Sequence, residues 1–165
     1  MSEVKRVKRS QFATFLNTTP GGVSPAWARM GKGITSASVS YNPTVNDEQF
    51  IDEDSGTKEV ESYAPTMSGE QTAYKGDGVF DFVDGLRQSR ATGEDAKTQM
   101  LMVYIYDEDS TGKYKAELQD VAISINEFGG DAGSANTISY DVGFCGEAEQ
   151  GTATISAGEV TFTKK

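Results

Sequence analysis

Two acidic stretches of the chain contain the residue types that bind calcium. "DEDSTGKYKAEL" runs from Asp107 to Leu118, with acids at its first and third positions and glycine at its sixth. "DEDSGTK", from Asp52 to Lys58, is a close copy. An EF-hand loop places oxygen ligands at about positions one, three and five, glycine at six and a bidentate glutamate at twelve. Both stretches are therefore candidate calcium sites.

The spacing of these stretches favours a hairpin turn over a calcium loop. Leu118 occupies position twelve of the first stretch, where a glutamate is needed. The flanking segments "LMVYIY" and "YKAEL" have the composition of strands, whereas the EF-hand motif requires helices. Thr111-Gly112 and Ser55-Gly56 are typical of tight turns that join strands. The sequence therefore predicts two acidic hairpins and no metal or other cofactor, with weak calcium binding left open.

The composition excludes several catalytic classes. The 165 residues include no histidine and a single cysteine, Cys145, so Ser-His-Asp and Cys-His mechanisms are impossible. The single cysteine also excludes an intramolecular disulfide. Paired carboxylates such as Asp107 and Glu108 could do acid–base work, but adjacency is expected by chance among 25 acidic residues. We predict that the protein is not an enzyme; a small hydrolase that uses carboxylates is an alternative.

Charge is distributed unevenly along the chain. Up to Gly33 there are six basic residues and one acidic residue, whereas the remainder has nine basic and 24 acidic residues. A basic segment on an acidic body suits head-to-tail contact between copies of one chain, although a merely solubilising tail has the same composition. We predict a basic N-terminal arm over residues 1–33 and a single β-sandwich domain over residues 34–165.

The hydropathy pattern predicts no membrane contact. No apolar run approaches the roughly 18 residues of a membrane-spanning helix. The N-terminal stretch lacks the apolar block of a secretory signal, so we expect the chain to stay in the cytoplasm where it is made, or to be released by lysis.

Alternating apolar residues from Ile34 onwards predict strands. "QMLMVYIYD" is apolar on both faces, which is typical of a central strand or of a strand at a subunit interface. In "KYKAELQDVAISINEF" the apolar residues change parity near Gln119-Asp120. One extra residue there would restore the alternation, so the pattern predicts a β-bulge.

One helix is predicted over about residues 77–91, in "GDGVFDFVDGLRQSRATG". Asp77 is a good N-cap, and Gly93 suits a position just beyond the end. We expect Gly85 to lie where the helix presses on a sheet, and Phe80, which falls off the apolar stripe, to face a neighbour. About seven or more strands with one flanking helix predict a mainly β fold of the sandwich or barrel type.

Three stretches carry a resemblance to a known family: "WARMGKGITSASVSYNP" at 27–43, "FIDEDSGTKEVESYAPTMSGEQTAYKGDGVFDFVDGLRQSRATG" at 50–93, and "YKAELQDVAISINEFGGDAGSANTISYDVGFCGEAEQGTATI" at 114–155. In order and spacing they resemble the tail tube (major tail) proteins of long-tailed bacteriophages of Gram-positive hosts. The resemblance implies a tail-tube-like β-sandwich subunit that forms hexameric rings, which stack into a hollow tube.

The resemblance also implies partners and a location. The partners are other copies of the chain, a tape-measure protein inside the tube, a tail terminator, and baseplate or distal tail proteins. DNA passes through the lumen transiently and without sequence specificity at ejection. The implied location is the tail of a virion that is assembled in the cytoplasm of the bacterial host.

Two sets of candidate site residues follow from this interpretation. Polar residues on alternating strands are candidates to line the lumen: Ser36, Ser38, Ser40, Ser124 and Asn126. The acidic hairpin 48–62 is predicted to contact the bases of the next ring, and the candidates for this contact are Asp52, Glu53, Asp54, Lys5, Arg6, Lys8, Arg9 and Trp27. An acidic lumen without stacking aromatics would repel phosphate and let DNA slide. The alternative function is a monomeric calcium-dependent or carbohydrate-binding β-module.

Overall fold

The computed structural model describes residues 3–165, and this part of the chain is mainly β with one α-helix. Residues 1 and 2 of the predicted arm lie outside the described residues. The ten strands of the described part are β1 Phe12–Asn17, β2 Trp27–Arg29, β3 Ala37–Ser40, β4 Pro43–Glu48, β5 Thr57–Tyr63, β6 Thr66–Thr72, β7 Lys97–Ser110, β8 Lys113–Gly129, β9 Thr137–Ser156 and β10 Glu159–Lys164. Helix α1 spans Gly78–Ser89, and short 3-10 turns occupy Arg9–Gln11 and Gly93–Ala96. The predicted fold class is confirmed.

Eight strands form one antiparallel sheet in the order β2-β1-β7-β8-β9-β6-β3, with β10 paired to β9. Strands β8 and β9 are long, at 17 and 20 residues, and they pair with each other along most of their length. The first half of β9 pairs with β6 and the end of β8, while its second half pairs with β10 and the start of β8. The sheet therefore has a four-stranded section, β3-β6-β9-β8, which continues into a section that contains β1, β2, β7 and β10.

Strand β7 lies between two hydrophobic clusters. Met100 and Met102 pack with α1 in the first cluster, whereas Leu101 and Val103 belong to the second. All four are at most 2% exposed. Because successive side chains of a strand point to opposite faces, burial on both sides requires apolar residues at every position. The pattern left open a central strand or a strand at a subunit interface, and the structure shows β7 as a central strand.

The N-terminal segment contributes a buried strand to the sheet. Phe15 of β1 pairs with Leu101 of β7 and is 1% exposed. The prediction of an unpacked arm over residues 1–33 is therefore wrong for β1 and for β2, which pairs with β1. "FATFLN" is buried on both faces, so it lacks the alternation that marks a half-exposed strand. Residues 3–8 precede these elements and are exposed.

An irregularity lies where the parity of β8 changes. Leu118 pairs with Glu149, and Asp120 pairs with Cys145, so the β8–β9 register shifts between them. Only Gln119 intervenes on β8, whereas residues 146–148 intervene on β9. The predicted position of the bulge is confirmed, but the extra residues lie on β9 and not on β8.

The change of parity on β8 has a different cause from the one predicted. The ladder between β7 and β8 runs through this region without a shift. Ala116 belongs to the second hydrophobic cluster and Val121 to the first, on opposite faces of the sheet. Strand β8 therefore stays regular in this region. The face of the strand that is covered by a hydrophobic cluster changes along its length.

Helix α1 begins as predicted and ends differently. The Asp77 carboxylate accepts a hydrogen bond from the Phe80 N–H at 3.0 Å, which confirms the N-cap. The helix ends at Arg90, which adopts a left-handed φ of 49°, so Gly93 is not the terminating residue. Phe80 is 5% exposed and packs in the first cluster, so it does not face a neighbour. Gly85 is exposed with open space around it, because it lies on the side of α1 away from the sheet.

Candidate assembly surfaces

The four-stranded section carries a row of polar residues across all its strands. Ser38 of β3 pairs with Ser68 of β6, which pairs with Asp141 of β9, which pairs with Ser124 of β8. Directly opposed residues of neighbouring strands share a face of the sheet. The next row on the same face is formed by Ser40, Thr66, Gly143 and Ala122.

The opposite face of the same section is apolar. Its central row is formed by Val39, Met67, Val142 and Ile123, which pair in that order across the four strands. All four pack in the first cluster, beneath α1. The section is therefore amphipathic, with one face on the core and one polar face whose residues are exposed or half-exposed.

The structure brings most of the lumen candidates together on this polar face. Ser38, Ser40 and Ser124 lie in the two polar rows, and the Asn126 side-chain amide donates to the Asp141 carboxylate at 3.2 Å. Ser36 directly precedes β3 and is exposed. Sequence reasoning missed Ser68 and Asp141, because β6 has only a weak strand pattern and β9 is marked by its apolar residues, which lie on the opposite face from Asp141. The alternation around Tyr140 was the signal that could have found Asp141.

Acidic groups accompany the hydroxyl groups of this face. Glu70 of β6 pairs with Ser139 of β9, one row beyond Ser68 and Asp141. The four strands contribute no lysine or arginine to the rows named above, but Lys97 of β7 pairs with Ala122 at the end of the second row. Such a surface repels phosphate and offers bases no aromatic ring on which to stack.

The four-stranded section ends in two open edges. Strand β3 is the last of the sheet and pairs only with β6, and its Ala37 carbonyl accepts a hydrogen bond from the Arg9 guanidinium. At the other side, β7 begins at Lys97 opposite Ala122, so residues 123–129 of β8 pair only with β9 among the described strands. A groove of about 1060 Å³ runs beside this part of β8 and the end of α1. Unpaired N–H and C=O groups on such edges are templates for pairing with another chain.

Strands β4 and β5 form a hairpin that stands apart from the large sheet. Large apolar side chains are exposed along it and at its base: Tyr41, Val45, Phe50, Ile51, Val60 and Tyr63. A two-stranded hairpin without a packed face is marginal on its own in water. Contiguous exposed apolar surface of this kind marks an interaction site.

The tip of this hairpin holds the three acids that were predicted to contact the next ring. The Glu53 N–H donates to the Phe50 carbonyl at 3.0 Å, and the Glu53 carboxylate accepts from the Phe50 N–H at 3.4 Å. These bonds order the turn, and Asp52 and Asp54 flank Glu53. Within residues 3–165, none of the three acids forms an ion pair. The predicted hairpin at Asp52 is confirmed, but its connection spans residues 49–56 and is not a two-residue turn.

The basic candidates lie near the start of the described chain. Lys5, Arg6 and Lys8 are exposed in the segment before the first 3-10 turn. The Arg9 guanidinium donates to the Phe12 carbonyl at 2.6 Å and lies 5.1 Å from the centre of the Phe12 ring. Trp27 is half-buried and packs against the second cluster. No ion pair within the described residues joins these bases to the acidic tip.

The first acidic stretch is a tight hairpin between β7 and β8. Gly112 has a φ of 76°, and its N–H donates to the Glu108 carboxylate at 2.7 Å. Lys115 pairs with Asp107 at 3.2 Å. The predicted turn at Thr111-Gly112 is confirmed. In the part of the chain that the structure describes, no cluster of three or more potential metal ligands occurs, and no helix has the length and apolarity to span a membrane.

These features define a mainly β fold with an amphipathic sheet section, two sheet edges and a projecting hairpin. The chain shares its fold with a chain from the tail of an empty gene transfer agent (GTA) particle solved by helical refinement with C6 symmetry. The TM-score is 0.62 at 11% sequence identity, over 87% of this chain and 97% of that chain. Comparison with protein-family models and with curated proteins gave no match. The likeness confirms the tail-tube-like fold that the sequence predicted.

Proposed function

We propose that this chain is a structural, non-enzymatic subunit of a phage-type tail tube, built from six-membered rings that stack head to tail. The observation that carries the proposal is the amphipathic four-stranded section, whose polar face is uncovered and whose two edges are open. A fold shared with a chain from a C6-symmetric tail supports rings of six copies.

The two open edges give a physical route to ring closure. Neighbouring strands of the section are all antiparallel, so β3 and β8 run in opposite directions. Strand β3 of one copy can therefore pair with the free edge of β8 in the next copy, where the alternation continues up to the register shift between Ile125 and Glu127. Such a heterologous contact closes into a ring when the rotation between neighbouring copies is a whole-number fraction of 360°. The apolar row through Val39 would then continue into Ile123 of the neighbour.

In the closed ring the polar rows line the lumen. Ser36, Ser38, Ser40, Ser124 and Asn126 face the axis in this arrangement, together with Ser68 and Asp141. The lumen surface is then hydroxylated and acidic, which favours the passage of DNA over its binding.

Contacts between rings are assigned to the β4–β5 hairpin. Its acidic tip, Asp52 to Asp54, meets basic residues of a copy in the adjacent ring, for which Lys5, Arg6, Lys8 and Arg9 are the candidates. Trp27 is a further candidate for the contact between rings. The exposed apolar residues of the hairpin are covered in the stack, which explains why a monomer leaves them open.

The resemblance to tail tube proteins of long-tailed phages of Gram-positive hosts supplies the remaining partners. A tape-measure protein fills the lumen during assembly, a tail terminator ends the tube, and baseplate or distal tail proteins begin it. Assembly takes place in the host cytoplasm, and the finished tube conducts DNA at ejection.

Electron microscopy of the purified protein tests the proposal. We expect rings and tubes with a central channel when the protein is concentrated. A protein that stays uniformly monomeric at high concentration, while folded by circular dichroism, would contradict it.

A further inference from the structure

A second groove lies between the 3-10 turn before β1, the end of β2 and the segment that leads into β3. Its volume is about 410 Å³, within the range of roughly 300–1,000 Å³ that is typical of binding sites. Two arginines, Arg9 and Arg29, line it together with apolar residues such as Phe12, Met30 and Ile34. Ser36 and Ser38 also line it, so the groove adjoins the polar face of the four-stranded section. No acidic residue lines it within the described chain.

The two guanidinium groups are held in place but are not neutralised. Arg9 donates from Nε to the Ala37 carbonyl at 3.2 Å and from Nη1 to the Phe12 carbonyl. Arg29 donates from Nη2 to the Ser10 carbonyl at 3.5 Å. Neither arginine forms an ion pair with a carboxylate in the part of the chain described here. Each guanidinium has five N–H donors, so several remain available to an incoming carboxylate.

The hairpin tip has the complementary chemistry. Ile51 is fully exposed and Phe50 is 59% exposed, so the tip presents apolar surface. Asp52 and Asp54 flank Glu53, whose carboxylate is engaged with the Phe50 N–H within the turn. Two carboxylates next to exposed apolar side chains match two guanidinium groups that form no ion pair within the described residues, in a groove that is also lined by apolar side chains.

We propose that the hairpin tip of one copy docks into the Arg9–Arg29 groove of a second copy. Asp52 and Asp54 pair with the two arginines, and Ile51 packs against Met30 at the floor of the groove. The inference rests on the proposed function, because it needs copies held in a regular array. It deepens that function by naming the surface that receives the tip, and it adds Arg29 to the contact residues.

Disulfide trapping tests the docking. In a Cys145→Ser background, a protein with Ile51→Cys is mixed with one with Thr35→Cys, an exposed position on the wall of the groove. After assembly and mild oxidation, mass spectrometry should identify a 51–35 disulfide. The matched control replaces Thr35→Cys by Thr161→Cys, an exposed position on β10, and should give no 51–161 disulfide.

The outcomes separate the two proposals. Tubes that form without a 51–35 disulfide would overturn the proposal that the tip docks into the groove, and would leave the tail-tube proposal intact. Failure of the unsubstituted protein to form rings or tubes would overturn both.

A charge-neutral variant tests the ion pairs without disturbing the fold. Asp52→Asn/Asp54→Asn keeps the shape of the exposed tip, and we expect the yield of the 51–35 disulfide to fall about fivefold or more. Asp107→Asn/Asp109→Asn removes the same charge from the other acidic turn and should leave the yield unchanged. Equal yields from all three proteins would overturn the pairing with Arg9 and Arg29.

Discussion

Gln71 of β6 donates a hydrogen bond from its side-chain amide to the Asp77 carboxylate, with 2.9 Å between Nε2 and Oδ2. The same oxygen of Asp77 caps the Phe80 N–H, and Gln71 also donates to the Lys32 carbonyl at 2.9 Å. Gln71 is completely buried. One polar network therefore fixes the start of α1 onto the apolar face of the four-stranded section, behind the surface that we assign to the lumen.

Replacement of Asp77 by alanine should destabilise the fold. It removes the N-cap, at a cost of about 1 kcal/mol, and leaves one donor of the buried Gln71 amide without a partner, at a cost of about 1–2 kcal/mol more. We expect the free energy of unfolding in urea to fall by about 2–3 kcal/mol. Asp81→Ala, in the first turn of the same helix, is the control and should cost less than about 1 kcal/mol. Equal losses from both variants would contradict the role of the network.

Tyr140 should make the protein sensitive to alkali. Burial raises the pKa of its hydroxyl, and the negative charge of Asp77 raises it further. In the unfolded chain the hydroxyl ionises at about pH 10, whereas in the folded protein it resists ionisation. Its contribution to stability is therefore complete below about pH 10 and is lost as the pH rises further.

The variant Tyr140→Phe isolates this contribution. No partner of the Tyr140 hydroxyl is present in the described residues, so the variant should be neutral or slightly more stable near pH 7. Between pH 9 and 11, its free energy of unfolding should fall less steeply than that of the unsubstituted protein. Tyr74→Phe, at an exposed position, is the control. Identical alkaline slopes for all three proteins would refute the assignment.

Gly151 should tolerate no side chain. It lies on β9 opposite Lys164, and a Cβ there would overlap the Thr163 carbonyl and the Phe162 ring. We expect Gly151→Ala to lower the free energy of unfolding by about 1–3 kcal/mol through overpacking of β10. Gly31→Ala, with no heavy atom within 4 Å of its Cβ, should leave stability unchanged or raise it slightly. A Gly151→Ala protein of normal stability would show that β10 moves freely on β9.

Charge reversal at the hairpin tip should block tube formation and spare the fold. The variant Asp52→Lys/Glu53→Lys/Asp54→Lys changes exposed or half-exposed residues of a turn outside the core. We expect folded monomers or rings in sedimentation experiments, because tips and basic grooves would then repel each other. The same reversal at Asp107, Glu108 and Asp109 is the matched control. Normal tubes from the first variant would contradict the role of the hairpin in the contact between rings.

The lumen assignment can be tested by labelling in the assembled tube. Ser124→Cys in a Cys145→Ser background places one thiol on the polar face. A small maleimide should label it in tubes and in dissociated subunits, whereas a large polymer-linked maleimide should label only the subunits. Rapid labelling by the large reagent in intact tubes would place Ser124 on the outer wall.

Local patterns predicted the elements whose structure depends on local chemistry. Asp77 correctly predicted the start of α1, and Thr111-Gly112 correctly predicted the turn between β7 and β8. The two apolar faces of β7 indicated a strand that is covered on both sides. Strand β1 was missed because burial on both faces removes alternation. The parity change in β8 was assigned to an extra residue because sequence does not show which face of a long strand is covered at each point.

The candidate site was predicted only as far as alternation allows. Ser38 and Ser124 were chosen because each lies on the polar side of its own strand. That they share one row with Ser68 and Asp141 depends on the register of three ladders between distant segments, which no local pattern encodes. The groove with Arg9 and Arg29 was missed for the same reason, since three separated segments form it.

The central claim is that the four-stranded sections of six copies join edge to edge around a lumen. The most direct test is a cryo-electron microscopy reconstruction of the assembled protein. We predict that β3 of each copy pairs with residues 123–129 of its neighbour, and that Ser38 and Ser124 face the central channel. A ring in which these edges stay unpaired, or in which Ser38 and Ser124 lie on the outer wall, would contradict the claim.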